Sequence, residues 1–118
     1  MSPRTSPTRS ESKGVGVRVV ALVDDLMDRS RVSAAVPGVE MIADAEAARG
    51  ADRVVIDLAR HSDDVAAVRG AAPGARIIAY GRHDDTAALA AARAAGADVV
   101  VPRSRFFRDP ASTIEATE

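Results

Sequence analysis

The sequence predicts an α/β protein with a doubly wound, five-stranded parallel sheet in the order 2-1-3-4-5 and with shortened second and fifth helices. Five short β-branched runs, VRVVALV, VEMIA, RVVIDLA, ARIIAYG and DVVVP, alternate with alanine-rich segments. Their interiors are continuously apolar rather than alternating, which is the pattern of parallel strands covered on both faces. Right-handed crossovers leave few topologies for such a repeat. The doubly wound order sets strands one and three side by side at the switch point, where ligands bind beyond the carboxyl ends of the strands.

Each element has a local reason. Residues 1–15 are rich in Ser, Pro, Thr and Arg without apolar periodicity, so a disordered tail is expected ahead of a single domain over 16–118. Strand one begins at Val17, and helix one follows over 25–35, although DLMDRSRVSAA is only loosely amphipathic. Pro37-Gly38 turns the chain into strand two. Only 32 positions separate Asp25 from Asp57, too few for two full helices and a strand, so helix two is expected to be absent or a single turn, with a very short turn around 45–48. A helix over 63–72 follows strand three, and Pro73-Gly74 leads into strand four. The helix over 86–95 has the highest propensity in the chain, with Asp84, Asp85 or Thr86 as N-cap and Gly96 as terminator. A fifth helix of at most 110–116 is too short to cover its part of the sheet, which suggests a protein partner or a homodimer.

Composition narrows the function. With 47% hydrophobic and 28% charged residues over 118 positions, the chain reads as one ordinary globular domain. A net charge of -1 gives no general attraction to nucleic acid or to a membrane surface. The absence of cysteine excludes disulfides and thiolate chemistry, and no apolar run approaches the ~20 residues of a membrane helix, so a cytoplasmic location is expected. Lys13 is the only lysine, which excludes a catalytic lysine beyond the tail. Aromatic residues make up 3%, so the core is built from Val, Ile, Leu and Ala and its stability should be modest.

The strand ends gather acids. Asp24 and Asp25 follow strand one, Asp57 ends strand three, Gly81 ends strand four and Arg103 follows strand five. In the expected topology Asp24, Asp25 and Asp57 converge on an acidic pocket suited to a hard cation such as Mg²⁺. Asp25 is also a natural N-cap for helix one, and Arg103 is placed either to bind an anion or to pair with Asp57. His61 and His83 read as surface caps, and Tyr80 as core packing or a gate on the pocket. In PRSRFFRDP, Phe106 and Phe107 lie among arginines such as Arg105, the composition of an interface patch, or else they close the end of the core.

At VRVVALVDD, RVVIDLA and GADVVVPR the chain resembles the receiver domain of two-component response regulators, over residues 17 to about 103. The resemblance implies a flavodoxin-like fold, a phosphoacceptor at Asp57, and a magnesium site formed by Asp24, Asp25, Asp57 and the carbonyl of Ala59. It also brings departures. Gly81 stands where the family has a Thr or Ser that bonds the phosphoryl group, Arg103 where it has a lysine, and Arg60-His61 near its Met-Pro. The expected function is therefore a stand-alone, atypical receiver-like signalling module, not an enzyme, that acts through protein–protein interaction with phosphorylation lost or altered. The alternative is a Mg-dependent response regulator phosphorylated on Asp57 by a histidine kinase. A nucleotide-binding domain or hydrolase is disfavoured, because the chain has neither GxGxxG after strand one nor a Ser-His-acid pattern.

Overall fold

The computed structural model describes residues 17–116; the expected tail over 1–15 and the outer limits of the expected 16–118 domain lie outside them. Five strands, β1 (Val19–Leu22), β2 (Glu40–Met41), β3 (Arg53–Asp57), β4 (Arg76–Gly81) and β5 (Val99–Pro102), form one sheet in the order β2-β1-β3-β4-β5. Every pairing is parallel. The register sets Val20 beside Val54 and Val54 beside Ile77, so apolar residues meet across the centre of the sheet. It also sets Asp57 beside Tyr80, and Tyr80 beside Val101.

Because side chains alternate along a strand, the sheet divides into two packed layers. Val20, Leu22, Val54, Ile56, Ile77 and Ala79 face one way and meet α3 (Val65–Ala71), α4 (Thr86–Ala94) and a 3-10 helix, Ala45–Ala48. Val19, Ala21, Val55, Ile78 and Tyr80 face the other way and meet α1 (Leu26–Ala35), α5 (Arg103–Arg108) and α6 (Pro110–Glu115). The second crossover is a single turn, one of the two outcomes the spacing allowed, with the Asp44 side chain accepting from the Ala47 N–H as its cap. Asp25 and Asp85 cap α1 and α4 in the same way. Gly96 leaves α4 at φ +116°, and a Cβ there would lie 3.1 Å from Arg69 Cγ, so both conformation and space call for glycine.

Two segments differ from expectation. The helix expected over 63–72 is preceded by α2 (Leu58–His61) and a 3-10 helix, Ser62–Asp64, so helical structure starts directly at the end of β3. Asp57 itself is the cap, accepting from the Ala59 N–H. The stretch after β5, expected to be open until position 110, is helical from Arg103 and breaks at Asp109. Pro110 explains the break, since it lacks an N–H and pushes the residue before it out of the helical region; Asp109 sits at φ -155°, ψ 78°. Among the described residues no helix is long and apolar enough to cross a membrane.

Candidate functional site

Asp57 closes β3 after the apolar run Val54, Val55 and Ile56, and its register neighbour is Tyr80. Both side chains therefore project toward α1 and α5, at the carboxyl end of the sheet. Asp57 is only 4% exposed, and its Oδ1 accepts from the Ala59 N–H at 3.0 Å. Burial pushes the Asp57 carboxyl up; the Ala59 bond opposes this, the neighbouring Asp28 charge adds to it, and the net shift is upward.

Asp28 is the residue that sequence reasoning missed. It is 1% exposed, on the same stripe of α1 as Val32 one turn later, while Leu26 and Met27 on the first turn point into solvent. An acid inside the apolar stripe gives hydropathy patterning little to register, which is why the helix reads as loosely amphipathic. The i, i+4 spacing to Val32 was the available signal. Asp28 faces the guanidinium of Arg103, which donates from Nη1 to Oδ2 and from Nη2 to Oδ1, and Tyr80 donates its hydroxyl to Oδ2 at 3.1 Å. Burial pushes the Asp28 carboxyl up, but the hydrogen bonds from Arg103 and Tyr80 and the Arg103 charge outweigh it, so it stays below the usual carboxylate value. Arg103 thus pairs with Asp28 rather than with Asp57, the partner its position suggested. Its plane lies over Phe107, 4.9 Å from the ring centroid, and 5.9 Å from that of Tyr80. Tyr80 in turn stacks on Phe106 at 4.6 Å with 13° between the rings.

Asp24 is drawn elsewhere. Its Oδ1 lies 3.0 Å from Nε2 of His61, whose Nδ1 is 2.7 Å from Oδ2 of Asp64. An imidazole donating to carboxylates from both nitrogens carries both protons. Burial pulls the His61 pKa down, and the bonds to Asp24 and Asp64 with their charges raise it further than burial lowers it. The same contact, foremost the hydrogen bond, lowers the Asp24 pKa. His61, with 11% of its side chain exposed, is therefore a bridge between the β1–α1 and β3–α3 connections rather than the surface cap expected of it.

Known proteins enter through structure. No family model matches the chain, and no curated protein matches it. Its structure is similar to that of a response regulator from Burkholderia pseudomallei, solved with a phosphorylated aspartic acid, calcium ion and citrate. The TM-score is 0.69 over 86% of this chain and 68% of that one, at 14% identity. A response regulator from Thermotoga maritima matches at TM-score 0.61 over 85% of this chain and 99% of its own, at 16% identity. The CheY-like protein TadZ from Pseudomonas aeruginosa matches at 0.62, covering 75% of this chain and 88% of that one, at 19% identity. The chain has a receiver fold.

Within that receiver fold, a pocket of about 220 Å³ opens at the strand ends, lined among others by Asp25, Asp28, Asp57, Ala59, Arg60 and Arg103. Three of the four expected magnesium positions, Asp25, Asp57 and Ala59, meet there, and Asp24 does not. The Asp25 side chain is engaged in capping, with Oδ1 accepting from the Asp28 N–H at 3.0 Å, and Asp24 is held by His61. Among the described residues, no three His, Asp or Glu side chains gather to hold a metal ion. The arrangement therefore does not fit a cation held jointly by Asp24, Asp25 and Asp57.

Gly81, where the resemblance places a hydroxyl, has little room for any side chain: a Cβ there would lie 3.3 Å from both Cβ and Cδ1 of Leu58. Among the three expected interface residues, Phe106 is fully buried and forms core, contrary to its expected role, because the turn of α5 carries it under Tyr80. Phe107 is half-buried, edge-on to both rings, with Arg31 over it at 5.4 Å. Arg105 is exposed. The reading in which the aromatic pair closes the core accounts for Phe106.

Proposed function

We propose that the chain is a receiver-like regulatory module that acts by binding another protein, without catalysis of its own and with phosphotransfer at Asp57 lost or altered. The observation that carries this reading is the pairing of Arg103 with the buried Asp28. An acyl phosphate on Asp57 needs positive charge placed to neutralise it, and the cation that follows β5 gives both of its forked donors to another carboxylate. Withdrawing them would leave Asp28 buried without its countercharge, which costs roughly 3–5 kcal/mol. Asp24 is tied to His61 and position 81 carries no hydroxyl, so two further groups for metal-assisted transfer are diverted or lacking. Protein binding is supported by Leu26, 79% exposed, and Met27, 67% exposed, two large apolar side chains on the first turn of α1.

The test is an amide NMR titration with Mg²⁺ and then beryllofluoride, with Asp57→Asn as control. The expected result is no saturable response in the wild-type protein. Saturable shifts centred on Asp25, Asp57 and Arg103, absent from the control, would overturn the proposal and establish a working Mg-dependent acceptor, the first requirement of the alternative served by a histidine kinase.

A further inference from the structure

The Asp28 carboxylate holds a position in which an external anion would otherwise sit. It presents two oxygens to the Arg103 fork and accepts a third bond from the Tyr80 hydroxyl, all inside the pocket wall. This is the donor set that a phosphate or carboxylate ligand would use, since a guanidinium fork matches two oxygens of either group. The guanidinium is kept in its plane by Phe107 and Tyr80 rather than by Asp28 alone, so its orientation has support beyond the ion pair. Arg60, exposed on the pocket rim, adds positive charge in front of it.

We propose that Asp28 is an internal anion: it occupies a latent anion site made by Arg103 and the Tyr80 hydroxyl, and keeps other anions out of it. This deepens the function proposed above and rests on it. The competition is steep because Asp28 is tethered on α1 and needs no association step, whereas a free ligand must first lose its translational freedom. Truncating Asp28 removes the competitor and leaves the Arg103 fork facing the pocket that Arg60 also lines, with Asp25 and Asp57 as the opposing carboxylates.

The experiment titrates inorganic phosphate into the full chain and follows it by calorimetry and amide NMR. The wild-type protein should show no saturable binding. Asp28→Ala, which vacates the position between the Arg103 fork and the Tyr80 hydroxyl, should bind phosphate at least tenfold more tightly, with shifts at Arg103 and Tyr80, and Asp28→Asn, which removes the charge and keeps the bulk, should gain less. Adding Arg103→Ala to Asp28→Ala should abolish the gain. An Asp28→Ala protein that folds and binds no better than wild type would overturn the proposal. A second measurement needs no variant. The Arg103 guanidinium nitrogens of the wild-type protein should give resolved, slowly rotating signals that persist in excess phosphate, and signals that are averaged from the start, or that phosphate alters, would equally overturn it. These outcomes are separate from the beryllofluoride response, so the internal anion can fail while the proposed function stands, and a positive beryllofluoride response would remove the latter without the phosphate titration.

Discussion

The two faces of the sheet are built by alternate residues of the same strands, yet they are packed by different chemistry. The α3/α4 face is aliphatic throughout: Val65, Val68 and Ala92 meet Val54, Ile56 and Ile77, and small side chains let the helices approach closely. The α1/α5/α6 face is covered by the ten-residue α1 and two six-residue helices, and it holds Tyr80, Phe106 and Phe107, the chain's aromatic residues. Large rings fill what six-residue helices leave open. The same face contains the buried carboxylates Asp28 and Asp57. One layer thus supplies uniform packing, and the other mixes rings with charge. The second layer is where a change of ligand or partner would be felt, because its polar contacts have alternatives and its apolar ones do not.

Substitutions on the second face should break this contrast most strongly. Phe106→Ala removes a fully buried ring stacked on Tyr80 and should lower stability by about 3–5 kcal/mol in urea unfolding, against about 1 kcal/mol for Ile77→Val on the aliphatic face. Equal losses would mean that the two faces carry the same load. Arg103→Ala should cost about 3 kcal/mol, because Asp28 is left buried without its countercharge, and Arg103→Lys should recover only part of that, having no fork. A loss under about 0.5 kcal/mol for Arg103→Ala would show that solvent screens the pair as it does at the surface.

Smaller effects come from titration. The Asp57 pKa is raised in the fold, chiefly by burial, so the folded state holds that proton more tightly than the unfolded chain and is disfavoured when the group ionises. Asp57→Asn should therefore stabilise the protein at neutral pH by about 1 kcal/mol, with the gain fading as pH falls below the raised value. A destabilised variant would assign Asp57 a structural role. His61 has the opposite charge type and also a raised pKa. Its contribution is complete below the ordinary imidazole value and is lost as pH rises through the folded one. Because Asp24 and Asp64 are partly exposed, the effect should be about 0.5–1 kcal/mol, and His61→Ala should flatten that stretch of the stability–pH curve.

The contrast also explains what the sequence disclosed. Sheet order and strand positions were legible because runs such as RVVI and RIIA are apolar on both sides, which only a doubly covered parallel strand needs. That the second crossover holds at most a single turn followed from chain length alone. Asp25 and Asp57 were legible as strand-end acids, and the structure places both on one pocket. Asp28 was not, because an acid in the first turn of a helix ordinarily faces solvent and favours the helix dipole there. Its burial depends on Arg103, 75 positions away, and no local pattern records such a partner. His61 escaped for the same reason: its link to Asp24 spans 37 positions. Helix α5 was hidden by Pro102 and the arginines, whose composition resembles a loop until Phe106 finds Tyr80.

The close approach of Leu58 to Gly81 has a bearing on the paths open to the chain through mutation. Any side chain at 81 meets Leu58, a buried residue that is itself packed into the aliphatic layer, so threonine or serine at 81 is resisted while leucine remains at 58. Leu58 must give by a few tenths of an ångström, or be replaced by a smaller side chain at the cost of a core cavity, for position 81 to carry a Cβ. A hydroxyl at 81 is therefore coupled to the packing of Leu58, and the two positions change most easily together.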